Sequence, residues 1–260
     1  MIRGVLLDLD GVLYNGEEPI EGAAEAVESV RRSGIPSLFV TNTTSRPRSS
    51  LREKLARFGI PAGEDEFLTP PAAAATWIRR AGKGKAALFV PDATKGEFRG
   101  LEAGADESDL GCVVIGDLGA AWDYDKLNSA FRLLHGHPRR RLIALGLTRY
   151  WQSSDGANLD VAPFVAALEC ATGKRALVMG KPARPFFRQA AKLLGVKAGD
   201  VLMVGDDLHA DALGARKAGL RSALVQTGKF LPRDLTSPQQ PDWVLESVRD
   251  LPRLLDDSRE

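Results

Sequence analysis

The chain has 260 residues, 44% hydrophobic and 27% charged, with 35 Lys and Arg against 34 Asp and Glu and a formal net charge of +1. This near-neutral balance excludes a general electrostatic pull toward nucleic acid or an anionic membrane, and at about 150 residues per domain the length fits one large domain or two ordinary ones. Its two cysteines, Cys112 and Cys170, lie outside any CxxC and are too few for a disulfide framework or a zinc site, which suits a reducing cytoplasm.

The apolar start is only a few residues long before Asp8, too short for a signal peptide, and no run approaches a membrane span. In chain order, "GVLLDLD" (4–10) reads as a buried strand running into two carboxylates, Asp8 and Asp10. "EGAAEAVESVRRSG" (21–34) is an amphipathic helix ended by glycine, "PSLFVTN" (36–42) a strand and "RSSLREKLARFG" (48–59) again helix then glycine. From about Ala81 to Arg175 the strands shorten and the loops lengthen. "AALFVPD" (86–92), "GCVVIGD" (111–117), "RLIALG" (141–146) and the helix "YDKLNSAFRLLHG" (124–136) read as a separate α/β layer. Within it, Arg139 to Arg141 read as a solvated loop, "LTRYWQSSDGANLD" (147–160) as a long loop, and Cys170 as a core residue of a helix. The strand–helix alternation then returns with "RALVMGK" (175–181), "RPFFRQAAKLLG" (184–195), "DVLMVGDD" (200–207), "ADALGARKAG" (210–219) and "RSALVQTG" (221–228).

Continuous apolar strands alternating with helices predict an α/β fold, a doubly wound parallel sheet. The expected division is a core of residues 1–78 and 179–260 with an α/β cap, 79–178, inserted between its halves. Ligands of such sheets bind beyond the carboxyl ends of the strands. Four strands, taken as neighbours in the core, end in chemistry: at Asp8 and Asp10; at Thr41, Asn42, Thr43 and Thr44; at Gly180, Lys181 and Pro182; and at Asp206 and Asp207, with Asp211 a helical turn later. So many acids share one site only around a positive charge, and a hard divalent cation such as Mg²⁺ with one or two carboxylates meets that need. The cation and Lys181 then suit a phosphoryl group. No GxxxxGK[ST] loop is present, and "GKGK" (82–85) has the wrong spacing for one.

"DLDGVLYNG", "VTNTT", "GKP" and "VGDDLHAD" resemble, in order, the four motifs of the haloacid dehalogenase superfamily of phosphohydrolases. An insertion between the second and third motifs resembles the NagD-like subgroup, which carries a large α/β cap. The resemblance implies a cytoplasmic, Mg²⁺-dependent phosphatase acting on a small phosphorylated metabolite, pairing as a homodimer through the cap. It implies Asp8 as the nucleophile that forms an aspartyl-phosphate, and Asp10 as general acid and then base. The Mg²⁺ ligands would be the side chains of Asp8 and Asp206 and the backbone carbonyl of Asp10. Thr41, Asn42 and Thr43 would donate to the transferring group, beside the charge of Lys181, while Asp207 and Asp211 orient the metal waters and the lysine. Gly11 would let the backbone turn close to the phosphate. Asp10 favours phosphomonoester hydrolysis over the dehalogenase chemistry of the same fold; a phosphomutase is separated by whether the phosphate leaves into solution or reappears on another hydroxyl, and an intact acid set disfavours an inactive phosphometabolite-binding protein. Of the cap residues Arg149, Tyr150, Trp151 and Asn158, each is as consistent with packing as with substrate selection.

Overall fold

The computed structural model describes residues 1–104, 107–153 and 156–258. Along the chain its strands are β1 (Gly4–Asp8), β2 (Tyr14–Asn15), β3 (Glu18–Pro19), β4 (Ser37–Val40), β5 (Phe67–Leu68), β6 (Lys85–Phe89) and β7 (Leu110–Ile115). They continue as β8 (Arg141–Ala144), β9 (Tyr150–Ser153), β10 (Gly156–Leu159), β11 (Leu177–Val178), β12 (Val201–Gly205), β13 (Arg221–Val225) and β14 (Trp243–Leu245). The chain forms two compact units: Met1–Thr41 with Arg48–Leu68 and Lys181–Glu260, and Asn42–Pro47 with Thr69–Gly180.

The first unit is built on a six-stranded sheet of order β14-β13-β12-β1-β4-β5 in which every pairing is parallel. β1 lies at its centre, with Leu6 opposite Met203 of β12 on one side and Leu38 of β4 on the other. Val5, Leu6 and Leu7 are fully buried, which is what an unbroken apolar run requires of a strand covered on both faces. Each buried leucine there contributes about 1.5–3 kcal/mol. Helix Ala23–Arg32 packs on one face through Ala23, Ala26, Val27 and Val30, in one cluster with Leu251, Leu254 and Leu255 of the last helix. Because β4, β1 and β12 are adjacent and parallel, Asp8, Thr41 and Asp206 all emerge at the same sheet edge.

The strand before Lys181 is a correction. The stretch 175–181 reads with the core strands although the expected cap runs to residue 178; its β11 pairs with β8 in the four-stranded parallel sheet of the second unit, order β11-β8-β7-β6. Only Leu177 and Val178 take part in that ladder, so an apolar run of this length does not reveal which sheet it joins. In the second unit, Val113, Ile115, Leu142 and Ala144 meet Ala130 and Leu134 of helix Tyr124–Leu134 and Val161, Val165 and Leu168 of helix Val161–Thr172. Trp122 stacks between Phe89 and Phe164, at 5.9 and 4.8 Å between ring centroids. Beyond Asn42–Pro47, the main stretch of this unit starts at Thr69, ahead of the expected residue 79, and helix Pro70–Ala81 is tied to it: Arg79 donates to the carbonyls of Glu97 and Arg99. Thr69 caps that helix by accepting from the Ala72 amide, with Pro70 in its first turn.

Three local expectations change. Residues 147–160 contain an antiparallel hairpin, β9 with β10, in which Asn158 stands opposite Trp151; Ser154 and Asp155 lie outside the described residues. Arg140 is largely buried rather than solvated, donating to Glu107 at 2.9 Å and to the Leu133 carbonyl. Cys170 is exposed, because Val161, Val165 and Leu168 define the inner face of its helix and position 170 falls outside it. Cys112 is buried on β7, and burial pushes its thiol up to about 11. One thiol per native chain is therefore expected to react with Ellman's reagent at pH 8, and two in denaturant. Rapid reaction of both in the native protein would contradict the packing of β7.

Candidate active site

Four ionisable side chains of the first unit converge beyond the ends of β1 and β12. The Lys181 ammonium lies 2.8 Å from Asp8 Oδ1 and 2.6 Å from Asp211 Oδ1, and all three groups are buried. Asp206, also buried, completes the group: ligand oxygens of Asp8, Asp206 and Asp211 all lie within 4.8 Å of one another. Three carboxylates against one ammonium leave two negative charges without a partner.

The oxygens are not equivalent. Asp8 accepts both the Lys181 ammonium and the Leu9 amide on Oδ1, so Oδ2 takes no hydrogen bond from the described residues. Asp211 is committed on both sides, Oδ1 to Lys181 and Oδ2 to the Asp207 amide at 3.2 Å. Asp206 accepts the Lys229 amide on Oδ2 at 2.7 Å, while its Oδ1 is buried with no partner. A buried carboxylate oxygen left this way is costly unless a ligand completes it.

Electrostatics follow from this crowding. Burial alone pushes the Lys181 ammonium down, but Asp211 and then Asp8 outweigh it and hold it above its ordinary value. Burial pushes Asp211 up to about 7, with Lys181 opposing and Asp8 reinforcing the rise. Burial likewise raises Asp206; the Lys229 amide opposes the shift and the Asp211 charge adds to it. Carboxylates outnumber ammonium groups in the cluster, an excess that a bound cation would offset.

Glycines make this crowding sterically feasible. Gly11, at φ +85°, turns the chain after Asp10, and a Cβ there would stand 2.0 Å from Asp206 Oδ2. A Cβ on Gly228 would stand 2.2 Å from the same oxygen, so the Asp206 carboxylate is cradled between two backbones. The Thr227 hydroxyl ties them together by donating to the Gly11 carbonyl. The segment Thr227–Lys229, which follows β13, was not singled out in the sequence. A glycine shortly beyond a strand end, at the ligand edge of a parallel sheet, was the available signal.

Asp10 and Asp207 stand apart from the buried group. Asp10 is exposed and accepts the Gly16 amide at 3.2 Å. Asp207 caps the following π-helical turn Leu208–Leu213 by accepting from the His209 and Ala210 amides; it is the turn, carrying Asp211, that reaches Lys181. Thr41 follows β4, and its amide donates to the Leu68 carbonyl. Asn42 and Thr43 group with the second unit, where Asn42 Oδ1 comes within 3.2 Å of the position a Cβ on Gly180 would take. On the hairpin of the second unit, Tyr150 and Trp151 are exposed.

Residues 5–103 match the family model of haloacid dehalogenase-like hydrolases, and residues 178–251 match that of HAD-hydrolase-like proteins. The chain belongs to the haloacid dehalogenase-like hydrolases, in their NagD-like group. It is 39% identical over 242 residues to phospholysine phosphohistidine inorganic pyrophosphate phosphatase from Homo sapiens, covering 92% of this chain and 88% of that protein. Among solved structures it resembles p-nitrophenyl phosphatase from Archaeoglobus fulgidus, with 28% identity, a TM-score of 0.85 and coverage of 97% of this chain and 99% of that one. NagD from E. coli is similar at 25% identity and a TM-score of 0.83, covering 96% and 98% of the two chains.

Proposed function

We propose that this haloacid dehalogenase-type phosphatase hydrolyses a small phosphorylated metabolite in two steps through an aspartyl-phosphate on Asp8, with Mg²⁺ as cofactor. The observation that carries this reading is the buried cluster itself: an uncommitted Asp8 Oδ2, a Lys181 ammonium 2.8 Å from Oδ1, and an Asp206 oxygen without a partner. The donor set is all oxygen and in negative excess, which fits a hard divalent cation. Asp8, Asp206 and the Asp10 backbone carbonyl would hold Mg²⁺; Asp211 is already committed to Lys181 and the Asp207 amide. When bound, Mg²⁺ supplies charge neutralisation for the phosphoryl oxygens.

The remaining chemistry belongs to the chain. Asp8 Oδ2 attacks phosphorus, forming the Asp8–phosphorus bond as the ester oxygen departs. Asp10 gives its proton to that leaving oxygen, then takes one from the water that attacks the aspartyl-phosphate, releasing inorganic phosphate and restoring Asp8. Lys181 holds positive charge beside the transferring group, and Asp211 keeps the ammonium in place. Thr41, Asn42 and Thr43 as donors to that group belong to the same proposal, as does Asp207, whose cap fixes the turn that carries Asp211.

The relatives' printed names include phosphoamide and pyrophosphate substrates, so phospholysine and pyrophosphate belong on the substrate panel beside sugar and alcohol phosphates. No helix among the described residues is long and apolar enough to cross a membrane, in keeping with cytoplasmic residence. Tyr150 and Leu159, 56% and 60% exposed on the hairpin, offer apolar area for homodimer pairing through the second unit. The direct test is phosphate release from p-nitrophenyl phosphate. EDTA is expected to reduce the rate to background and Mg²⁺ to restore it; a rate indifferent to EDTA would defeat the metal assignment.

A further inference from the structure

We infer that Lys54 is a positioning residue for Asp10, acting through the Gly16–Glu17 turn. Lys54 sits on helix Arg48–Arg57 between the buried Leu51 and Leu55, and it is itself only 6% exposed. A packing requirement at that position would be met by another leucine. Instead the ammonium donates to the Gly16 carbonyl at 2.5 Å and to Glu17 Oε1 at 3.0 Å, and lies 4.2 Å from the centre of the Tyr14 ring. All of these contacts converge on one feature, the hairpin of β2 and β3.

That hairpin holds the proposed acid. The Gly16 amide donates to Asp10 Oδ1 at 3.2 Å, and the Gly11 amide donates to the Tyr14 carbonyl at 2.7 Å, closing the loop that begins at Asp10. Gly16 is the first residue of a two-residue turn and has φ +56°, with nothing within 4 Å of where a Cβ would be. A solvent-facing glycine is the most freely rotating point of the hairpin. A buried cation fixed to its carbonyl restrains the residue whose amide orients Asp10. General acid catalysis depends on such orientation, because the proton must reach the leaving oxygen within hydrogen-bond distance.

The inference rests on the proposed role of Asp10, and the test separates the two. Phenyl phosphate expels a basic phenolate that needs protonation, whereas p-nitrophenyl phosphate expels an anion that leaves unaided. For both esters kcat/KM reports the step that phosphorylates Asp8. Lys54→Met is expected to lower kcat/KM about tenfold for phenyl phosphate and less than about twofold for p-nitrophenyl phosphate, a part of the 10²–10⁴-fold range of acid–base catalysis. Asp10→Asn should show the same bias more strongly, and adding Lys54→Met to it should change nothing further. Equal losses on the two esters in Lys54→Met, or none, would overturn the inference while leaving Asp10 intact. An unbiased Asp10→Asn would overturn the acid role itself. Should Lys54→Met not fold, Glu17→Gln alters an exposed carboxylate of the same clamp and should show the bias at about threefold; its absence there counts equally against the inference.

Discussion

Replacing Asp8 by Asn is expected to reduce turnover by about 10⁴-fold or more, the scale on which removal of a covalent nucleophile acts. The amide matches the carboxylate in shape but is a far weaker nucleophile. The fold should tolerate the change, because the Lys181 ammonium keeps its 2.6 Å contact with Asp211 and is not left unpaired. Loss of one charge also relieves repulsion from Asp206 and Asp211, whose oxygens lie within 4.8 Å of those of Asp8. An unchanged melting curve beside an absent rate would therefore identify a chemical defect. Acid quenching during turnover gives the complementary measurement: base-labile phosphate on the wild-type chain and none on the variant. If Asp8→Asn hydrolysed phosphate esters at the wild-type rate, water would be attacking phosphorus directly and the covalent route would be wrong.

Lys181→Met should have the opposite profile, destabilising the protein as well as silencing it. Removing one partner from a buried ionic group costs about 3–5 kcal/mol, since the charges left behind have neither water nor counter-ion. Here two buried carboxylates, Asp8 and Asp211, lose the same ammonium. The pH dependence has a definite sign. Asp211 in the native protein is raised to about 7, above the value near 3.9 of an unfolded Asp, so the folded state binds the proton more tightly. Stability from that proton is complete below about pH 4 and lost as pH rises through about 7. Without Lys181 the raised range extends upward, so the deficit relative to wild type should be largest at pH 8 and shrink toward pH 5. Thermal unfolding followed by circular dichroism at the two pH values checks this; a deficit that grew on acidification would mean that Lys181 is not the counter-charge of the cluster.

The gathering of Asp8 and Asp206 at one sheet edge was legible because it depends on chain pattern. Asp8 ends an apolar run and Asp206 ends another, and parallel neighbours must deliver both to one edge. What stayed hidden depends on tertiary detail. Asp206 and Asp207 are adjacent identical residues, yet one enters the buried cluster and the other caps a turn, a distinction made only by how the chain leaves β12. Asp211 reaches Lys181 because Gly205 has no side chain; a Cβ there would stand 2.3 Å from that of Asp211. Nothing in the run of residues 48–59 marks Lys54, and its burial follows from aromatic neighbours, Tyr14 and Phe58, brought close by the fold. The stretch 175–181 reads with the core strands because the strand–helix alternation resumes there, and of that stretch Lys181 does belong to the first unit while β11 does not.

The sheet order has a consequence for biosynthesis. β1 is complete within the first eight residues, but its neighbour β12 begins at Val201. During synthesis Asp8 therefore leaves the ribosome well ahead of Lys181 and Asp206. No truncated nascent product that stops short of residue 206 can assemble the buried charge cluster. Over the same interval one edge of this apolar central strand stays unpaired, and aggregation during expression is expected to begin there.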